Sequence, residues 1–563
     1  MTYRPTRTDW RGSYPVFVAK ITWNGRTFYA STKAMIVTSA QGSIQLEGGI
    51  ESEPSFNASL SELGFQVSSY STPMSCYLRD VDIALQASRG NTLENSYAEL
   101  AYILVKGEEI QSYDNRVVLI EGRIKEPVFG HRDRSQGYFE ASIEAEVLET
   151  SFHISAMGAG ARISSEELSD IVNPTLSPLT AIQQANYLIE IIKNHKEKVL
   201  PIIFGQPGVA YDENMASINY GATPAYVIYA EHGSSNNIWL AIAPHDVKAP
   251  RVRIYDDLGN FRVEDVEKWV RNDGRIFSFV HFTHSSGGFQ NPVDEENARF
   301  FVAWQDGGAL VSNTNSEVIT GAGDICMYCL EQGGQEIDYF AWGSVLPFLN
   351  TYKLAGYVTD QNMSAIEFLE SEIIPLLPIS VVQGTNGMKP VLDMFATGVK
   401  PTAIASIQAN AEFFSESGMQ RRGDTSNLVN DFTLKYAYNA HQGSYQGLQR
   451  ITGDETITNR TVTLNSSAVQ SFAKYGSRSK TMETTFVTDI DTAALICFDK
   501  IRNNCFPATF MQYNCNSRYG WLEIGDIVSL SDDNFSLSDK LIQVVEKVWT
   551  GTSWQFTLKL SPE

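Results

Sequence analysis

Cys326 and Cys329, in the stretch GDICMYCLEQ, have the best spacing for chemistry in this 563-residue chain. A CxxC pair binds metal or cycles between thiol and disulfide when a turn or helix start brings both sulfurs together. The stretch reads as a strand, where positions i and i+3 point to opposite faces. No second CxxC and no histidine cluster completes a four-ligand set. Two partly buried thiols are expected, the alternative being a fold that groups them with Cys505 or Cys515. His281 and His284, in HFTH, share that spacing in a strand-like run, with neither HExxH nor a 2-His-1-carboxylate pattern around them.

Other short patterns fail on the geometry their chemistry demands. GAGARI, from Gly158 to Ile163, lacks the third glycine of a dinucleotide loop and reads as an interdomain hinge. In GSYQG, from Gly443 to Gly447, Ser444 directly follows the first glycine, whereas a nucleophile elbow needs one residue between them. Arg422–Asp424 (RGD) reads as a polar loop and Asp294–Asn297 (DEEN) as a solvated one. Glu367 and Glu370 lie one helical turn apart, on what reads as the wet face of their helix. No catalytic, cofactor-binding or metal-binding residue is assigned. Carboxylates scattered along a sequence leave no local trace.

The elements divide the chain into four parts: a β domain over 1–155, a helical connector over 156–200, a β-rich peripheral insertion over 201–350, and a domain with a barrel and two helices over 351–563. The predicted fold class is mainly β with a few helices, multidomain. VFVAKITWNGRTFYAST holds two alternating runs separated by Asn24-Gly25, a strong hairpin signal. Val117 and Leu119 start a face of mostly apolar residues. After Ser177-Pro178, Ile182, Ala185, Ile189 and Ile192 recur at helical spacing, and lysines with His195 suit the helix end. Ile366, Leu369 and Ile373 predict a helix capped near Ser364 and stopped by Pro375 and Pro378. Ala494, Phe498 and Ile501 predict another, starting at Asp489 or Asp491.

Composition bounds the function. With 43 Lys+Arg against 65 Asp+Glu, the net charge is −22, which repels phosphate backbones, so stable nucleic-acid binding is not expected. No run of about 18 apolar residues marks a membrane helix, and no apolar run follows the arginines of the first 25 residues, so neither a membrane span nor a leader is expected. Six cysteines in 563 residues are too few for a disulfide framework and fit a reducing cytosol.

The order of features in residues 351–563 says more than any one motif. FAKYGSRSKTMETTFV carries Tyr475-Gly476 and Arg478 ahead of a strand. The helix DIDTAALICFDKI follows, then LEIGDIVSLS with a Gly525-Asp526 turn, then KLIQVVEKVWTGTSWQFTLKL. This resembles the end of the tail hub proteins of bacteriophages and gene transfer agents: a YG-x-R segment, a helix with an Ala pair, a GD-x-V turn and a closing hairpin. Upstream, the 365–392 stretch resembles the helix, proline break and G-x-x-P strand of such hubs, and VLPIIFG resembles their P-x-x-x-G strand. NGRTFYAST and GRIKEPVFG look like a hub's N-terminal β domain. The 201–350 block matches no adapter or enzyme module.

The resemblance implies a structural protein of the virion, not an enzyme and without cofactors: a baseplate or tail-tip hub, assembled in the bacterial host cytoplasm. It implies a homotrimer in which each chain gives two similar β-barrel units to one ring. The partners implied are the tail tube or distal tail protein on one side and a tip, spike or central fibre protein on the other, with further baseplate proteins or fibres meeting the 201–350 block. An acidic channel would keep DNA from sticking. The rival readings are a tail-associated cell-wall hydrolase and a receptor-binding adhesin. Clearing of a peptidoglycan overlay would favour the first, and binding of the 201–350 block to host cells the second.

Overall fold

The computed structural model describes residues 12–144 and 200–560 apart from short internal stretches, the longest being 60–70, 79–92 and 305–318. The predicted connector helix, GAGARI, DEEN and His284 lie outside the described residues. The described chain is mainly β, in several sheets with a few helices, as its patterning predicts.

The first sheet has nine strands, with Tyr14–Trp23 and Tyr97–Lys106 antiparallel at its centre. Trp23 pairs with Arg26 across Asn24-Gly25, and Gly25 takes φ +74°, so the predicted hairpin forms. YAELAYILVK is buried along nearly its whole length because both its faces are covered. Leu100, Tyr102 and Leu104 face one core, while Ile103 and Val105 join Val16, Val18, Val37 and Leu46 in another. Val117, Leu119 and Ile120 are buried at the start of the next strand.

The last sheet has eight strands and includes the closing hairpin Leu537–Trp549/Trp554–Leu560. It shares the first core: Phe17, Leu100 and Tyr102 pack with Val544, Trp554 and Phe556. One short early strand, Asn57–Ser59, pairs directly with Leu537–Trp549. The two ends of the chain therefore build one body.

Between them lies a closed six-stranded barrel: Thr223–Ala230, Asn237–Ala243, Ile276–Thr283, Phe261–Val270, Arg251–Asp256 and Phe300–Trp304, in that order around the ring. Ile238, Leu240, Val252, Val280 and Trp304 fill it. A further core joins the 319–392 stretch to the sheet and helices of 429–505.

Five α-helices are described: α1 (Ala322–Gln332), α2 (Tyr339–Leu349), α3 (Ala365–Phe368), α4 (Ser466–Tyr475) and α5 (Ile490–Asn504). Here the structure corrects three expectations. GDICMYCLEQ is helix α1, not a strand: Ala322, Ile325, Cys326, Cys329 and Leu330 are buried, a 3.6-residue rhythm that the β-favouring Ile, Tyr and Cys obscure. The RGD triplet lies in an edge strand, Gln420–Asp424, paired with Ala508–Cys515, not in a loop. In α5 Ile501 is buried as predicted, but Ala493 and Cys497 are buried in place of Ala494 and Phe498, one position off, which leaves Phe498 37% exposed. One residue is about 100° of helix rotation.

The caps follow the sequence. Ser364 Oγ accepts from Glu367 N at 3.0 Å, and Asp489 Oδ1 accepts from Thr492 N at 2.9 Å. After α3 the chain continues as a π turn, Leu369–Ile373, and a 3-10 turn, Ile374–Leu376, before the Ile379–Gly384/Gly387–Leu392 hairpin. Pro375 has no N–H to extend the helix, and Pro378 leads into the strand. No helix among the described residues is long and apolar enough to cross a membrane.

Candidate functional site: the seam between the first and last sheets

The strongest concentration of unusual side chains lies where the chain's two ends meet. Phe17 and Tyr102 come from the first sheet, Phe56 from the residue before its short paired strand, and Lys547, Trp549 and Trp554 from the closing hairpin. The rings of Trp549 and Trp554 are 5.0 Å apart, Phe17 lies 5.3 Å from Trp549, and Phe56 lies 5.7 Å from Trp554. Such pairs add roughly 0.5–1.5 kcal/mol each beyond their buried area. The Tyr102 hydroxyl donates to Ser517 O at 2.8 Å, and burial drives its ionisation far above the phenolic range.

Gly520 allows the close approach. A Cβ there would lie 2.2 Å from the Tyr102 hydroxyl and 2.4 Å from Trp554 Nε1. Its carbonyl accepts from the Lys547 amine. That amine also sits 4.5 Å from the Trp554 ring centroid and 5.4 Å from that of Phe56. Burial pushes the Lys547 amine down to about 7, against the opposing pull of Glu523 and Asp526. A lysine this deep in an aromatic seam is a costly structural choice.

The GD turn forms a second joint. Gly525 takes φ +89° and its N–H donates to Val544 O at 2.8 Å, while Asp526 Oδ2 accepts from Glu523 N at 2.8 Å. Glu523 pairs with Lys389 of the Ile379–Leu392 hairpin. Burial works against the Lys389 charge, but Glu523 and Asp526 outweigh it and the ammonium is held above its usual range. Gln543 Nε2 donates to Leu392 O at 2.9 Å, and Lys559 pairs with Asp393 at 3.2 Å.

The YG-x-R segment is the third joint. Gly476 ends α4 at φ +71°. The side chain of Asn430 donates to Gly476 O at 2.8 Å and to Ser471 Oγ at 3.2 Å, and accepts from Arg478 N at 2.8 Å. The N–H groups of Asn430 and Asp431 both donate to Arg478 O. One buried amide thus fixes the path from α4 into the next strand.

Behind the first sheet, Glu99 is buried and bound at both oxygens by Arg116, at 2.5 Å and 2.7 Å, with the Tyr113 hydroxyl at 3.2 Å. The bond to Glu99 holds the guanidinium above its ordinary range despite burial. This pairing satisfies the one carboxylate in a strand covered on both faces.

The residues singled out by spacing do not converge. Cys326 and Cys329 share a face of α1 and are fully buried, and burial drives both thiols far above their ordinary range. Cys505 and Cys515 are likewise buried free thiols. His281 stacks on Trp239 at 4.1 Å. Glu367 is exposed and Glu370 half-buried on the outer side of their turn. Among the described residues no group of three His, Cys, Asp or Glu is placed to hold a metal. The seam residues Tyr102, Lys547 and Trp554 carry no motif. The only local sign is the pair of tryptophans around the TGTS turn.

No protein-family description matches this chain, and no curated protein matches it. Among solved structures the chain is similar to a prophage MuSo2 43 kDa tail protein from Shewanella oneidensis, at 10% identity and TM-score 0.36, covering 97% of this chain and 98% of that one. It is similar to a chain of the virion of a native gene transfer agent particle, at 11% identity and TM-score 0.40, covering 65% and 85%. It is also similar to the prophage tail protein gp18 from Listeria monocytogenes EGD-e, at 14% identity and TM-score 0.22, covering 55% and 94%. All of these scores lie below 0.5, so the likeness decides no function by itself.

Proposed function

We propose that this chain is a structural protein of a phage-type tail, and within that class the hub that closes the tail tube. The observation that carries the reading is the seam. Of the elements that resemble a hub's last domain, the GD turn is bonded to the closing hairpin, and Tyr102 of the first sheet joins them through Ser517 and Trp554. YG-x-R is bonded to Asn430 and α5 packs in the neighbouring core, whose 379–392 hairpin reaches the GD turn through the Lys389–Glu523 pair. A part that must transmit force around a ring needs its barrel-like units joined rigidly, with few free edges. A buried aromatic seam with an edge pairing does this without a catalytic group.

On this reading three copies form the ring, joined to the tail tube or distal tail protein and to a tip, spike or central fibre protein. The barrel of 223–304 stands between the two end sheets in sequence and is the part that meets further baseplate proteins or fibres. The acidic balance of the chain would line the channel and keep DNA moving. Electron microscopy of whole particles carrying a labelled version of this chain tests the proposal. Density on the tail axis at its far end, in three copies, is expected. An off-axis position or another copy number overturns the hub reading, and absence from the particle overturns the structural one.

A further inference from the structure

Helix α2 turns the wrong side outward for an isolated surface helix. YFAWGSVLPFL contains no charged residue, yet only Trp342 and Leu349 are buried. Phe340 is 92% exposed and Tyr339 61%. Gly343 and Pro347 are exposed on the same side, spaced by turns of the helix. The orientation is fixed. Asp338 caps the first turn by accepting from Ala341 N at 3.0 Å, and the Trp342 indole donates to Met388 O at 3.0 Å on the inner side. A water-facing helix ordinarily carries its charges outward and its rings inward.

The rim of this face is acidic at both ends. At the start, Asp338 is the cap and Glu331 accepts from the Tyr339 hydroxyl at 3.3 Å. Glu336 lies exposed in the connection from α1. At the far end, Asp324 accepts from Asn350 Nδ2 at 2.9 Å. Two cations lie near this rim, Lys353 exposed beyond Asn350 and Lys389 near Asp338 but paired with Glu523, so the four carboxylates of Asp324, Glu331, Glu336 and Asp338 leave the rim net negative.

We propose that the outer face of α2 docks a partner protein whose contact surface has an apolar centre ringed by Lys and Arg. Charge complementarity selects that partner. A second copy docking the same face onto this one would set carboxylates against carboxylates. An anionic membrane would be repelled by the same groups. The apolar centre, a helix of about 16 Å by geometry, matches the anchor of an interface whose polar rim supplies direction. The inference rests on the chain having a protein partner and not on that partner belonging to a tail.

The full chain is titrated, at physiological salt, with two fluorescent helical peptides sharing one Leu/Phe face, one flanked by Lys and Arg and the other by Glu. Because the whole chain is acidic, cation binding alone proves nothing, and the variants decide. The basic peptide is expected to bind at least tenfold more tightly than the acidic one. Phe340→Ser, at a fully open position, is expected to weaken it at least tenfold, and Glu331→Lys with Glu336→Lys to reverse the preference. An unchanged thermal melt shows that each variant is folded. The proposal falls if neither peptide binds, if Phe340→Ser changes nothing, or if charge reversal leaves the preference intact. It also falls if Phe340→Ser instead abolishes self-association or binding to phosphatidylserine vesicles, which would make a second copy or a membrane the occupant. Microscopy of the particle tests the hub reading separately, so either can fail alone.

Discussion

The Tyr102 hydroxyl and the Ser517 carbonyl meet at 2.8 Å across 415 positions of sequence. The bond lies inside a seam whose two walls come from opposite ends of the chain, so neither wall is complete until both are made. Contacts of such separation are slow to form and are lost together.

Tyr102→Phe tests that coupling. It keeps the ring and leaves the Ser517 carbonyl without its donor in a buried place, which costs about 1–3 kcal/mol. The expected result is a lower melting transition followed by tryptophan fluorescence, since Trp549 and Trp554 lie in the same seam. Removing the ring as well, in Tyr102→Ala, should cost about 3–5 kcal/mol. An unchanged transition for both variants would show that the two sheets are not energetically joined.

Lys547 predicts a pH dependence of the same seam. Its folded value, about 7, lies below the ordinary 10.5, so between those values the unfolded chain binds the proton and the folded chain does not. Stability therefore rises with pH across that window. Lys547→Met removes the charge-prone group but also the donor to Gly520 O, a pH-independent loss of about 1–3 kcal/mol. Its stability relative to wild type should therefore improve as pH falls from 10.5 toward 7. Urea melts at pH 7, 8.5 and 10 would show it, and a difference that does not change with pH would contradict it.

His245 predicts a change on the acid side. Its Nε2 accepts from Ile203 N at 3.1 Å, tying the Ile202–Phe204 strand to the barrel, and burial holds the imidazole down to about 4. The stability it lends is complete above pH 6.5 and is lost as pH falls toward 4, by an amount on the order of 3 kcal/mol. His245→Gln keeps an acceptor without the titration. Hydrogen exchange of the barrel amides should lose its acid slope in this variant, and a persisting slope would place the proton elsewhere.

The buried cysteines give a chemical check. Cys326, Cys329, Cys497, Cys505 and Cys515 are all buried as free thiols. Thiolate, not thiol, reacts with alkylating reagents. Brief native treatment with iodoacetamide followed by peptide mass spectrometry should find these five unmodified, and denaturation should expose them. Rapid native labelling of Cys326 or Cys329 would reopen a redox role for α1.

The sequence pattern reached much of the fold and little of the seam. Alternation, turn pairs and caps at Asn24-Gly25, Ser364 and Asp489 act within a few residues, and each is where the pattern puts it. α1 escaped because its β-favouring residues hid a helical rhythm that only packing against α2 and α3 selects. Lys547, Tyr102 and Gly520 escaped for a different reason. Tyr102 meets Ser517 across 415 positions and Lys547 meets Phe56 from the other end of the chain, and even the Lys547–Gly520 bond spans 27, separations that no local spacing encodes.

Gly343 offers the last test, because it separates the stability of α2 from its docking. Glycine inside a helix costs about 1 kcal/mol relative to alanine. A Cβ at Gly343 would meet nothing within 4 Å, so Gly343→Ala should raise stability by about 0.5–1 kcal/mol. Pro347, four residues on, denies the Gly343 carbonyl its helical donor and crowds it. Gly343 is nonetheless helical and not among the positive-φ glycines, so alanine fits its backbone and a lower melting temperature would contradict the prediction. Since the new methyl projects from the proposed docking face, a variant that melts higher yet binds the basic peptide less tightly would place the partner's surface directly over this turn.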